Sequence, residues 1–164
     1  MYNSKKKYDM GFPIRSNIFR IGSEEQKYFA KFPVQVAVLF SPKDESFKEG
    51  FSEMFLNLDQ ITGEEVVFFA ALDPPSDWLD IAKTRSEWGD YKATVGELGF
   101  TADDPVLVKE LARQFGIPWY ALPVLIVGVD LWNGNYISTK TSTFLIETQL
   151  RILTDLVREY ETPN

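Results

Sequence analysis

The sequence predicts an α/β domain: a mixed central sheet of four to five strands flanked by helices. Three short runs are almost wholly apolar and rich in β-branched residues, at 34–40, 65–72 and 124–130. Such runs are typical of strands that are buried on both faces. A segment with helical periodicity separates the first two runs. A strand–helix–strand unit of this length implies parallel pairing with a right-handed crossover.

The composition is that of an ordinary globular domain in which two residue types are missing. Of the 164 residues, 45% are hydrophobic and 25% are charged, and the formal net charge is −7. This charge disfavours a nucleic-acid partner, because phosphate binding needs a basic surface. The chain has no cysteine and no histidine. It therefore lacks a thiolate nucleophile, the commonest general base and the usual zinc ligands, and we expect neither a metal nor a cofactor.

The sequence predicts no targeting or membrane segment, and we expect a cytoplasmic protein. The lysines near the N-terminus are not followed by the apolar run of a signal peptide. The longest apolar stretches are shorter than the roughly 18 residues of a spanning helix. We expect a flexible arm at 1–16 and one domain at 17–164, with an insert at about 76–103.

The N-terminal half contains a strand and two helices besides the apolar runs. Residues 17–21 predict a short strand, and Ser23 with Gln26 forms a capping box for a helix that ends at Pro33. After the first apolar run, apolar residues recur at spacings of three and four, which predicts an amphipathic helix. These residues are Phe47, Phe51, Met54, Phe55 and Leu58.

The C-terminal half predicts a helix, a hairpin and a final helix. Asp103 or Asp104 caps a helix that has Pro105 at its first position and ends at Gly116. Asn133-Gly134 between two strand-like runs is a strong hairpin signal. The last helix is expected from Phe144 to Tyr160. Its expected inward face consists of Leu145, Leu150, Leu153, Leu156 and Val157.

The order of these elements resembles the thioredoxin fold over about residues 17–160, without the insert. The stretch 111–117 (LARQFGI) is similar to the end of that family's third helix. Residues 122–127 (LPVLIV) are similar to the segment in which a cis-proline precedes a central strand. The Asn-Gly hairpin and the C-terminal helix also have counterparts in thioredoxins.

The sequence departs from this family at its defining motif. Redox-active members carry Cys-x-x-Cys where the helix after the second strand begins. By position that pair corresponds here to Asp44 and Phe47, which places Lys48 where the family often has Lys, or alternatively to Ser41 and Asp44. Neither register contains sulfur. We therefore expect no thiol–disulfide activity and assign no catalytic residue.

The resemblance nevertheless implies a place for a partner. It implies a cis bond before Pro123 and a backbone at Leu122 that is free to pair with an extended peptide. The predicted function is a non-catalytic thioredoxin-like module that binds a protein or peptide, as an adaptor or an assembly subunit. The predicted binding residues are Asp44, Glu45, Ser46, Phe47, Trp119, Tyr120, Leu122 and Pro123.

Simpler interpretations exist for the acidic residues. Asp44 and Glu45 lie at a helix start, where carboxylates cap free N–H groups and offset the helix dipole. Asp73, Asp77 and Asp80 follow a predicted strand, where ligands of open α/β sheets often bind. The alternatives to a binding module are therefore a non-redox enzyme that uses carboxylates and a purely structural subunit.

Overall fold

The computed structural model of the chain describes residues 12–13, 29–63, 65–70 and 105–161. Two short 3-10 turns, Trp119–Ala121 and Leu131–Asn133, precede and follow the fourth strand. In chain order the strands and α-helices are β1 (Phe12–Pro13), β2 (Val34–Leu39), α1 (Glu45–Thr62), β3 (Val66–Ala70), α2 (Pro105–Gln114), β4 (Val124–Asp130), β5 (Asn135–Lys140) and α3 (Ile146–Glu161).

Four strands form a mixed sheet, which the two-residue β1 extends at one edge. The strand order is β1–β3–β2–β4–β5. β2 is parallel to β3 and antiparallel to β4, and β5 is antiparallel to β4. The three apolar runs are therefore neighbouring strands, as predicted. β1 pairs parallel with β3, so Phe12 and Pro13 of the expected N-terminal arm belong to the sheet.

The two faces of the sheet are covered by different helices. Along β3, successive side chains point to opposite faces. Phe68 packs against Phe51 and Phe55 of α1, with ring centroids 6.2 and 5.2 Å apart. Its neighbour Phe69 stacks on Phe29 at 4.9 Å on the other face. α3 contacts α1 and therefore lies on the Phe68 face.

The strand register shows which residues of β5, at the far edge of the sheet, lie on each of these two faces. Tyr136 of β5 is opposite Gly128, and Gly128 is opposite Gln35 on the Phe69 face. Phe115, just after α2, meets Tyr136 edge-on at 5.0 Å, which places this end of α2 on the Phe69 face. The neighbouring β5 residue, Ile137, therefore faces the side of α1 and α3.

The predicted face of α1 is confirmed, whereas the predicted face of α3 is partly wrong. Of the five apolar α1 residues, four are buried and Met54 is partly buried against the core. α3 begins at Ile146 rather than at Phe144, so Leu145 precedes it. Leu150 and Val157 are buried as predicted and Leu153 is partly buried, but Leu145 and Leu156 are about half exposed. The buried face is rotated toward α1. It includes Ile146 and Thr154. Thr154 can be buried because its hydroxyl donates to the Leu150 carbonyl at 2.8 Å.

The predicted hairpin joins β4 to β5 through a loop longer than two residues. The Asp130 carboxylate accepts from the Asn133 N–H at 3.3 Å and so holds the 3-10 turn. Gly134 then reverses the chain with φ of 81°, a left-handed conformation that favours glycine. The Asn-Gly signal therefore located the reversal correctly.

A buried glutamine ties the hairpin to the beginning of the core. Gln35 is almost fully buried in the centre of the sheet. Its Nε2 donates to the Phe29 carbonyl at 3.0 Å, and its Oε1 accepts from the Leu131 N–H at 3.0 Å. Both ends of the amide are thus hydrogen-bonded, which offsets the cost of burying this polar side chain.

Gln35→Leu is expected to lower the free energy of unfolding by about 2–3 kcal/mol. Leucine removes the hydrogen-bonding partner that Gln35 provides to the Phe29 carbonyl and to the Leu131 N–H. Urea denaturation measures the loss, with exposed Gln60→Leu as the matched control, expected within about 0.5 kcal/mol of the parent. A loss below about 1 kcal/mol for Gln35→Leu would contradict this role.

Several sequence predictions lie outside the described residues. They include the strand at 17–21, the Ser23–Gln26 capping box, the cap at Asp103 or Asp104 and the insert at about 76–103. Within the described residues, α2 begins at Pro105 as predicted and ends at Gln114, two residues before Gly116.

Candidate functional site

The start of α1 is a capped helix terminus. The Asp44 carboxylate accepts from the Phe47 N–H at 3.1 Å, which is the bond of an N-cap residue. The turn before it is closed by Asp44 N–H donating to the Ser41 carbonyl at 2.9 Å. Glu45 follows in the first helical turn, where its charge is favourable to the helix dipole. Capping of α1 therefore accounts for the carboxylate of Asp44.

The four predicted binding residues at this helix start differ in accessibility. Glu45 and Ser46 are exposed and Asp44 is partly exposed. Phe47 is only 4% exposed and packs between Phe40 at 5.0 Å and Phe51 at 5.8 Å. Its side chain is part of the core, so only the other three residues present side chains to a partner.

The second half of the predicted site is the 3-10 turn Trp119–Ala121. The Ala121 N–H donates to the Pro118 carbonyl at 2.9 Å and the Leu122 N–H donates to the Trp119 carbonyl at 3.4 Å. Tyr120 projects from this turn with 87% of its surface exposed, and Trp119 is 39% exposed. Two large aromatic side chains thus stand on a short hydrogen-bonded turn.

A shallow groove, here called the α2 groove, lies beside this turn and has a volume of about 270 Å³. The Lys109 ammonium lies 5.6 Å from the centroid of the Trp119 ring, within range of a cation–π interaction. Arg113, one turn further along α2, forms an ion pair with Glu110 at 2.6 Å. The groove is lined by Lys109, Ala112, Arg113, Ile117 and Trp119.

The α2 groove exists because of how α2 ends. The Ile117 N–H donates to the Ala112 carbonyl at 2.8 Å and the Gly116 N–H donates to the Arg113 carbonyl at 3.0 Å. Together with φ of 69° at Gly116, this is a Schellman motif. The motif turns Ile117 back beside Ala112, so the chain reaches Trp119 next to the last turn of α2.

The Leu122–Pro123 peptide bond is cis, as predicted. The backbone around it is not free, however. The Lys140 ammonium donates to the Ala121 carbonyl at 2.7 Å and more weakly to the Leu122 carbonyl at 3.4 Å. The Pro123 carbonyl accepts from the Thr141 N–H at 3.2 Å. Lys140 at the end of β5 and Thr141 directly after it thus supply partners to these carbonyls, and the contact at Leu122 is the weakest of them.

Sheet register brings the two halves of the predicted site to one end of the sheet. Leu39, near the end of β2, is opposite Val124, the first residue of β4. The chain that leaves β2 toward Asp44 and the chain that enters β4 through Pro123 therefore run side by side. Sequence reasoning found both halves but missed Lys109, Arg113 and Lys140, whose relation to Trp119 and Leu122 depends on the Schellman turn and on the β4–β5 pairing.

Comparisons with protein-family models, with curated proteins and with solved structures found no match for this chain. Within the described ranges, no helix combines the length and apolar character of a membrane span. The same residues contain no group of three or more acids positioned to hold a metal ion. Asp73, Asp77 and Asp80 lie outside the described residues.

Proposed function

We propose that the chain is a non-catalytic, thioredoxin-like module that binds a protein or peptide through the Trp119–Ala121 turn and the α2 groove. The family assignment is supported by the strand order, with parallel β3–β2 and antiparallel β4 and β5. It is also supported by α1 starting where the chain leaves β2, beside Pro123. The absence of cysteine excludes the family's thiol chemistry.

The observation that carries the proposal is the exposure of Tyr120 next to Trp119 on a hydrogen-bonded turn. Aromatic side chains with a polar group are enriched among residues that dominate binding energies. They offer large contact area and lose little conformational entropy, because only two side-chain torsions need to be ordered. A preformed turn lowers that entropy cost further.

The contacts that support binding are made by side chains rather than by the backbone. Because Lys140 and Thr141 already serve the carbonyls from Ala121 to Pro123, a peptide strand would have to displace them in order to pair there. The α2 groove, at about 270 Å³, lies just below the roughly 300–1,000 Å³ of typical ligand pockets. It suits one apolar side chain of a partner, inserted beside Trp119.

The enzyme alternative is weaker at this place. A carboxylate catalyst needs an acid whose oxygens face the substrate, and Asp44 uses one oxygen to cap α1. Glu45 lies on the exposed first turn and adds a single further carboxylate. These two acids therefore favour a structural role.

Trp119→Ala and Tyr120→Ala are each expected to weaken partner binding by about 2 kcal/mol or more, the usual threshold for a hot spot. The partner is first identified by crosslinked capture from the organism's own extract. Affinity is then measured by calorimetry with the purified partner. Phe144→Ala, which removes an exposed aromatic outside the turn and the groove, is the matched control and should leave affinity unchanged.

Stability measurements separate the competing functions. The binding module predicts that Tyr120→Ala leaves thermal unfolding nearly unchanged, since this side chain is exposed. A purely structural subunit predicts lost stability and no specific partner. Partner binding that survives both aromatic substitutions would contradict the proposed site, and turnover abolished by Asp44→Asn in a folded protein would favour the enzyme.

A further inference from the structure

A second exposed apolar surface lies on the opposite face of the sheet. We call it the α3 surface. Tyr160 is 89% exposed, Ile137 is 70% exposed, and the other members are about half exposed. The surface consists of Ile137, Leu145, Ile152, Leu156 and Tyr160.

The helical part of the α3 surface is one stripe along α3. Leu145, Ile152, Leu156 and Tyr160 follow one another at steps of seven, four and four residues, which keeps them on one side of a helix. The side toward α1 is a different one. There Glu147 accepts from the Asn57 amide at 2.9 Å and pairs with Arg151 at 3.2 Å. The stripe is therefore the flank of α3 that faces away from α1.

The sheet part of the surface is β5, on the same face. Ile137 is opposite Val127, and Leu125 lies two residues before Val127 on that face. Leu125 is buried and Val127 partly buried, whereas Ile137 is largely exposed. α1 and α3 therefore cover this face only as far as β4. The Gln149 amide, on the stripe side of α3, donates to the Lys140 carbonyl at 2.9 Å, so this flank of α3 adjoins the end of β5 and the two form an apolar corner.

The charge distribution favours a second copy as the occupant of this corner. No member of the α3 surface is charged, although the chain carries 41 charged residues and a net charge of −7. A strongly charged partner would find no complementary charge there. A second copy offers the same uncharged surface, as a two-fold interface requires, with the exposed Glu159 at its border.

The exposed apolar area is comparable with the apolar part of a homodimer interface. At about 150–200 Å² for a large side chain, the exposed fractions amount to roughly 500 Å² of largely apolar surface. A standard interface takes about 800 Å² from each partner, and homodimer interfaces are about 65% apolar. The apolar part of such an interface is therefore present. An exposed polar neighbour such as Thr139 is available for its rim.

We infer that the chain forms a two-fold homodimer in which the α3 flank of each copy lies in the corner between α3 and β5 of the other. Ile152 lies near the middle of the stripe and is in contact with the second copy. The Trp119–Ala121 turn lies on the α2 side of the sheet and is outside this contact. The dimer therefore does not depend on the proposed function.

Analytical ultracentrifugation of the full chain tests the dimer. The parent is expected to sediment with twice the 18.8 kDa mass of one chain. Ile152→Lys and Ile137→Lys are each expected to raise the dimer Kd at least tenfold, because a lysine charge would be buried in an apolar contact. Gln60→Lys, the same change in charge on exposed α1, should leave the Kd unchanged.

Salt provides an independent readout. Two copies of net charge −7 repel each other, and this repulsion is screened at high ionic strength, so the dimer should become tighter as sodium chloride is raised.

A parent chain that stays at 18.8 kDa at millimolar concentration would overturn the inference. So would a dimer retained in either folded lysine variant, or dissociation caused by Gln60→Lys. Circular dichroism establishes which variants are folded. If Ile152→Lys does not fold, Ile137→Lys on β5 decides the question.

Discussion

Phe51→Ala is expected to lower the free energy of unfolding by about 3–5 kcal/mol, the cost of emptying a large buried aromatic position. Phe51 is fully buried and is the centre of a cluster of rings. Its ring lies 5.8 Å from those of Phe47 and Phe55, 5.9 Å from Phe40 and 6.2 Å from Phe68. The substitution therefore removes contacts within α1 and between α1 and the sheet.

Urea denaturation with linear extrapolation measures this loss. Phe51→Leu, which retains most of the apolar volume, should cost about 1–2 kcal/mol. Tyr120→Ala removes an aromatic of similar size from an exposed position and should cost no more than about 0.5 kcal/mol. If Phe51→Ala cost as little as Tyr120→Ala, α1 would not pack on the sheet through this cluster of rings.

Gly128→Ala is expected to cost about 3 kcal/mol or more, the upper end of what overpacking a closely packed site costs. A Cβ at Gly128 would lie 2.0 Å from the Asn135 carbonyl oxygen and 2.8 Å from the Tyr136 Cα. Both are backbone atoms, which cannot relieve the clash by a change of rotamer as a side chain can. The β4–β5 pairing would have to move at the bulge between Gly128 and Asp130.

Gly134→Ala is the matched control in the same hairpin. Gly134 has φ of 81°, and no atom lies within 4 Å of the Cβ that Ala would add. Its substitution carries only the cost of a left-handed L-residue, about 1–2 kcal/mol. Comparing the urea unfolding midpoints of Gly128→Ala and Gly134→Ala thus separates the cost of a steric clash from the cost of a left-handed backbone conformation. Equal losses in the two variants would contradict the close approach of β4 and β5.

The two proposed surfaces have a joint consequence because they lie on opposite faces of the sheet. A dimer through the α3 surface would carry two Trp119–Ala121 turns. A partner with two matching segments would then gain avidity from the second contact, provided that its linker spans the distance between the turns. In a dissociated variant such as Ile152→Lys, the affinity of each single turn should be retained.

The strands and the sheet could be predicted from the sequence, because their signals are local. The runs of β-branched residues at 34–40 and 124–130 mark buried strands wherever they occur. Asn133-Gly134 marks a reversal because glycine tolerates a positive φ. The pairing of the first two apolar strands followed from the length of the helical connection between them, whereas the resemblance to thioredoxins placed the third beside them.

The sequence also placed the aromatic turn and the cis bond before Pro123. The resemblance to thioredoxins carried that part of the prediction, since no local pattern distinguishes a cis from a trans proline. It also carried the expectation of a free backbone at Leu122, which stays a prediction, although the Leu122 carbonyl has a weak contact with Lys140. Lys140 is 18 residues away along the chain, and only the pairing of β5 with β4 brings its ammonium to these carbonyls.

Tertiary structure decided the exposure of individual apolar residues. Phe47 and Leu156 both fit the apolar period of their helices, yet Phe47 is buried and Leu156 is half exposed. Apolar periodicity shows which residues lie on one side of a helix. It does not show how much of that side is covered by neighbouring helices and strands. The rotation of α3 toward α1 covers Ile146 and Leu150 and leaves Ile152 and Leu156 open. The composition alone excluded thiol chemistry, because no folding can supply a missing sulfur, whereas the surfaces for partners exist only once helices and strands are packed.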